Sequence, residues 1–231
     1  MDDERNAPVS AVAALAEPTR RRLYDHVVRQ AAPVSRDEAA AATDVPRATV
    51  AFHLDKLVDQ GLLDVVFERR TGRSGPGAGR PSKLYRRAEC DVAVSLPERR
   101  YDLAGDLLAA ALDEADASGE PPRAVLQRSA RRRGRELGAD ARAADGAAEG
   151  RDVVLRVLEG QGFEPRLEDG AVVLANCPFH ALARTHTALV CGMNLSLLGG
   201  VVEGVASTDL VADLHPEPGL CCVRLLPDAT R

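Results

Sequence analysis

Four of the five cysteines fall in the last quarter of the chain. Residues 176–194 read NCPFHALARTHTALVCGMN, so Cys177 and Cys191 stand fourteen positions apart and His180 follows Cys177 at CxxH spacing. Thirty residues after Cys191 comes a doubled pair, Cys221-Cys222, in GLCCVRLL. Thiolates are soft, anionic ligands, and a set of them with an imidazole nearby suits zinc or an iron–sulfur cluster. The spacing lacks the paired CxxC of a compact zinc knuckle, so tertiary structure must assemble such a site. Cysteine is also among the most buried residue types, and Cys191 taken alone reads as a core residue. Four cysteines within 46 positions, with Cys90 the only other, exceed what packing explains. A thiol nucleophile at Cys177 with His180 as its base is the enzymatic alternative. No third orienting group or phosphate-binding loop accompanies them, so an enzyme is not expected.

A second kind of chemistry sits earlier. Residues 69–87, RRTGRSGPGAGRPSKLYRR, carry seven basic side chains and no acid. The first 90 residues hold 15 Lys+Arg against 13 Asp+Glu, whereas the remainder holds 15 against 22. A basic segment on an otherwise acidic chain points to a polyanion partner for that end. Aromatic residues make up only 3% of the chain, which argues against single-strand binding by base stacking. Arg80, between small residues and Pro81, is held extended and suits a narrow minor groove. Arg69, Arg70, Lys83, Arg86 and Arg87 suit phosphates.

The elements that must carry these groups follow from pattern and punctuation. Pro18 opens a helix, and Ser35 with Glu38 makes a capping box for a short alanine-rich helix. After a turn at Asp44-Val45-Pro46, a third helix runs over RATVAFHLDKLVDQ and stops at Gly61. Leu62–Arg69 and Ser82–Arg87 read as the strands of a hairpin with a glycine-rich basic tip. This is the order of a winged helix-turn-helix, whose second helix enters the major groove. On that helix Arg47, Thr49, Val50, His53 and Lys56 are the expected DNA-facing residues, Thr49 or Val50 meeting thymine methyls. Leu54, Leu57 and Val58 are expected in the core.

Helices follow over residues 97–117 and 121–144, the first amphipathic and the second arginine-rich. A helix over 152–159, a hairpin turning at Glu168-Asp169-Gly170, a helix over 182–205 and strands at 210–214 and 221–226 complete the chain. The fold class is α+β. The expected division is a winged helix-turn-helix over residues 1–90, a helical linker or dimerisation region over 91–149, and an α+β cysteine-bearing domain over 150–231. No apolar run reaches the ~18 residues that cross a bilayer, and the acidic start MDDERNAPVS does not read as a signal peptide. The expected location is cytoplasmic, where thiols stay reduced.

LAEPTRRRLYDHV followed by SRDEAAAATDVPRATVAFHLDKLVDQGLL resembles the ArsR-type winged-helix regulators over residues 10–88. CPFHALAR, LVCGMN and PGLCC, after a wing closing on GRPSKLYR, resemble the SufR-like iron–sulfur repressors over nearly the whole chain. The resemblance implies a homodimer that binds a double-stranded DNA operator under control of a [4Fe–4S] cluster. It implies Cys177, Cys191 and Cys221 or Cys222 as ligands, with His180 as a further candidate. Zinc in place of the cluster, or a small apolar effector in a pocket lined by the cysteines, remains the alternative.

Overall fold

A computed structural model describes residues 2–69, 81–206 and 208–228, with side chains from residue 6 onward. The chain divides into two compact units, Met1–Val94 and Ser95–Arg231.

The first unit contains α1 (Asp2–Ala14), α2 (Pro18–Val28), β1 (Val34–Ser35), α3 (Arg36–Thr43), α4 (Arg47–Asp59), β2 (Leu63–Glu68) and β3 (Ser82–Arg87). Each helix has a local reason to start or stop. Pro18 sits in the first turn of α2, where its missing N–H costs nothing, and the Glu17 carboxylate accepts the Thr19 and Arg20 N–H groups. Ser35 and Glu38 form the reciprocal capping box at α3. Asp44 ends α3 in the left-handed region, and Gly61 takes φ +69° just past α4. The antiparallel sheet has the order β1-β3-β2, with Val65 opposite Tyr85 and Val34 on the other side of Tyr85. Leu23, Val27, Val50, Leu54, Leu57, Leu63 and Tyr85 form the centre of its core. Val12 is 49% exposed, and Ala11 and Ala14 pack inward.

The second unit comprises α5 (Tyr101–Ser118), α6 (Pro122–Ala144), α7 (Gly150–Gly160), β4 (Pro165–Glu168), β5 (Ala171–Leu174), α8 (His180–Thr185), α9 (Thr187–Val205), β6 (Leu210–Leu214) and β7 (Val223–Pro227). Its antiparallel sheet runs β4-β5-β7-β6. The β4–β5 hairpin turns through Asp169 and Gly170, both at positive φ, as a two-residue turn of that twist requires. α5 and α6 contribute Ala104, Leu107, Ala111, Val125, Leu126 and Ala130 to the same core as α7, α9 and the sheet. Residues 95–149 therefore share a core with the cysteine-bearing part and do not form a separate linker segment.

The arginine-rich helix α6 hides its means of packing in glycine. A Cβ on Gly134 would run into the Leu197 carbonyl and stand 2.8 Å from the Val201 nitrogen. One on Gly200 would run into the Arg131 carbonyl. Gly138 and Gly204 repeat the arrangement one turn on, so α6 and α9 cross with their backbones touching. The expected absence of any bilayer-length apolar run also needs correction. α9 is long and apolar enough to cross a membrane by length and composition, with half of its apolar window buried in this unit. Its Leu, Val, Met and Cys side chains carry the hydropathy, while Asn194, Ser196 and Glu203 break the run. The helix expected from Leu182 onward is also interrupted at His186, which separates α8 from α9.

Candidate functional sites

The helix pair α3–α4 and the β2–β3 hairpin reproduce the expected groove-reading layout. Arg47, Thr49 and Lys56 are exposed on α4. Two of the residues expected beside them are not. Val50 is fully buried in the core, and His53 is 9% exposed. Both lie on the helical phase shared with Leu54 and Leu57, which the core claims. The His53 Nδ1 lies 3.6 Å from Glu17 Oε2, so this histidine stands against the N-cap of α2 and not at a groove. Phe52 takes the outward place instead, with 65% of its surface exposed. Phe52 stands outside the expected set, although the helical period puts it one turn from Ala48 and Lys56.

Several cations assigned to phosphates have carboxylate partners. Asp55 accepts from Lys83 Nζ at 2.6 Å, Tyr85 Oη at 2.7 Å and Arg36 Nη2 at 2.8 Å, tying α4 to β3 and α3. Burial acts to raise the Asp55 pKa, but these three bonds outweigh it and hold the carboxyl below its ordinary value. Arg47 is paired with Asp37, and Arg86 lies 3.6 Å from Asp64. Arg69 and Arg87 are exposed. Arg70 and Arg80 lie outside the described residues.

In the second unit, Cys177 lies in the turn after β5, Cys191 in the first turns of α9, and Cys221-Cys222 immediately before β7, not on it as expected. Backbone bonds fix these places. Arg99 Nη1 donates to the Cys177 carbonyl at 2.9 Å and to Asn176 Oδ1 at 2.6 Å. The Cys221 N–H donates to the Leu174 carbonyl at 2.8 Å, and the His215 N–H to the Cys222 carbonyl at 2.7 Å. Cys191 and Cys221 are buried and Cys177 and Cys222 half-buried. The four thiols form a chain of neighbours. Cys177 interacts electrostatically with Cys221, Cys221 with Cys222, and Cys222 with Cys191. Cys221 neighbours Cys177 and Cys222 neighbours Cys191, so both stay candidates.

Three of the thiols, Cys177, Cys191 and Cys221, are pushed above the ordinary thiol value. The neighbouring Cys221 sulfur, followed by burial, pushes the Cys177 thiol well up, against smaller opposing effects of the Phe179 N–H and Arg99. For Cys221 the Cys177 contact pulls downward, but Cys222 and burial outweigh it and carry the thiol to about 11. Burial likewise raises Cys191, although its contact with Cys222 acts the other way. Neutral, buried thiols are poor nucleophiles. Asn194, 1% exposed, donates from Nδ2 to the Cys221 sulfur at 3.3 Å, and its Oδ1 is buried without a hydrogen-bond partner. Among the described residues no three His, Cys, Asp or Glu side chains are grouped as a ready site for a metal ion. As a donor set, four thiols chained in this way suit a thiolate-bound group that draws the sulfurs around itself on binding. His180, by contrast, is exposed at the start of α8, and its N–H donates to the Cys177 carbonyl. Cys90 is exposed.

Residues 15–66, from the end of α1 into β2, match the helix-turn-helix domain family. With the hairpin that follows, this defines the N-terminal unit as a DNA-binding module of the winged-helix type. The chain is a DNA-binding transcriptional regulator. Comparison with curated proteins and with solved structures returned no match.

Proposed function

We propose that the protein is a cytoplasmic, homodimeric repressor whose operator binding is set by a [4Fe–4S] cluster held by Cys177, Cys191, Cys221 and Cys222. The observation that carries this reading is the convergence of thiols from three separated segments, the β5–α8 turn, α9 and the approach to β7. A thiolate-bound cluster supplies covalent cross-links between those segments. The rest is the chain's own work. Arg99 holds the Cys177 turn by its carbonyl, the Leu174 carbonyl holds Cys221, and Asn194 offers an N–H to the Cys221 sulfur. Phe179, Val190 and Leu174 share a buried core with Cys221, and the half-buried Cys177 and Cys222 pack against it. Exchange between a cross-linked and a released arrangement gives two states that a bound group biases, as a regulatory switch requires.

The test is anaerobic purification with iron and sulfide analysis, for the wild type and for Cys191→Ser. The reading predicts brown protein with matching iron and sulfide that the variant lacks. Colourless protein containing zinc would replace the cluster with the metal. Equal operator affinity with and without the bound group would remove sensing from the reading altogether.

A further inference from the structure

The outward face of α4 has an unusual makeup for a helix that reads bases. It carries no Asn or Gln, and its single arginine, Arg47, is paired with Asp37. Besides Arg47, the side chains it presents to solvent in its first half are Ala48, Thr49 and Phe52. Ala48 and Phe52 are one turn apart, and Thr49 stands three residues from Phe52, so the three form a contiguous patch. The Phe52 ring packs edge-on against His53, with centroids 5.3 Å apart, while 65% of the residue faces water. Lys56 lies one turn further along and is exposed, at the place of a phosphate contact.

We infer that Ala48, Thr49 and Phe52 form an apolar reader of thymine C5-methyl groups, and that Phe52 sets most of the protein's base preference. The inference rests on the DNA-binding reading of the N-terminal unit and adds to it the class of base that is read. In the major groove, only thymine among the four bases presents a methyl group. Alanine, the threonine methyl and phenylalanine are the side chains that meet it through apolar contact. A large ring left in water on this helix regains its burial when the groove closes on it. Discrimination then comes from methyl burial, where a bidentate arginine or asparagine would use hydrogen bonds. The preferred half-site has two or more thymines within the reach of one helical turn, on one strand or across the two.

The experiment begins with operator selection from a random duplex pool by the full-length wild-type protein. Each thymine of the selected site is then replaced singly by deoxyuridine, which deletes the methyl and keeps every hydrogen bond. Wild-type binding is expected to weaken about fourfold at each contacted position, the equivalent of one buried methyl-sized group. Phe52→Ala loses that sensitivity at its own positions and keeps the salt dependence of binding, because phosphate contacts are unchanged. Phe52→Leu, which retains an apolar side chain, keeps part of the sensitivity and guards against a variant that merely misfolds.

Wild-type protein indifferent to every deoxyuridine would overturn the inference, and so would Phe52→Ala as sensitive as the wild type. A change in oligomeric state in Phe52→Ala, with methyl sensitivity intact, would assign the ring to a protein contact and overturn it equally. A pool without enrichment is a different failure, since it removes sequence reading by the domain as a whole.

Discussion

Replacing Gly134 by alanine tests the claim that α6 and α9 touch through their backbones. In an open helix, Gly→Ala gains up to about 1 kcal/mol, because alanine has the higher helix propensity. At Gly134 the new methyl meets the Leu197 carbonyl, the Val201 nitrogen at 2.8 Å and the Gly200 Cα at 3.0 Å. All three are backbone atoms, which cannot rotate aside, so the helices must separate. Overpacking of this kind costs typically about 1–3 kcal/mol, and rigid neighbours place it at the upper end. Gly134→Ala should therefore lose about 2 kcal/mol net. Gly105 in α5 is the internal control, since a Cβ there has nothing within 4 Å, and Gly105→Ala should stabilise. Gly200→Ala adds its own clash at the same crossing, against the Arg131 carbonyl, and helices already parted for one methyl partly admit the other, so Gly134→Ala with Gly200→Ala should cost less than the sum of the two. Urea unfolding of the four variants, followed by circular dichroism, measures all of this. If Gly134→Ala matched Gly105→Ala in sign, the backbone contact and the helix crossing built on it would be refuted.

Three further outcomes are expected. Asp55→Asn should cost about 1–2 kcal/mol at neutral pH, toward the lower end for charged hydrogen bonds because the carboxylate is partly exposed. Because the folded Asp55 pKa is depressed, this contribution is fully present above the unfolded carboxylate value and disappears as pH falls through the folded one. Unfolding curves of wild type and Asp55→Asn should therefore converge in acid. Arg99→Met leaves the buried Asn176 Oδ1 without its donor and should cost about 1–3 kcal/mol; Cys177 should also react faster with a thiol reagent. Asn194→Leu removes an N–H···S bond together with a buried oxygen that has no partner, so the metal-free protein should change by less than about 1 kcal/mol. Redox titration of the reconstituted protein should show a lower reduction potential in that variant, because the sulfur has lost a hydrogen bond.

The N-terminal unit was legible because its signals are local. Pro18, the Ser35–Glu38 box and Gly61 fix helix ends over a few residues, and the structure places those ends close to where they were read. The outward face of α4 was less legible. Val50 and His53 are drawn inward by a core that includes Tyr85 from β3, a contact between residues far apart in sequence. Lys83 looked like a phosphate ligand because Asp55, which engages it, stands 28 residues earlier. For the thiols, spacing alone could not say which cysteine neighbours which, since that depends on how β7 approaches α9. The role of α6 was hidden for a related reason. Glycines that read as gaps in an apolar stripe are the contact itself.

The doubled cysteine has a mechanical consequence. Consecutive residues carry sulfurs toward different neighbours, so the chain entering β7 clasps the β5–α8 turn with one hand and α9 with the other. β7 is an interior strand, bonded to β5 on one side and β6 on the other. A tug on that clasp is therefore delivered to the middle of the sheet and shared by both flanking strands. An edge strand would absorb the same pull by peeling away; this one has to take its sheet along.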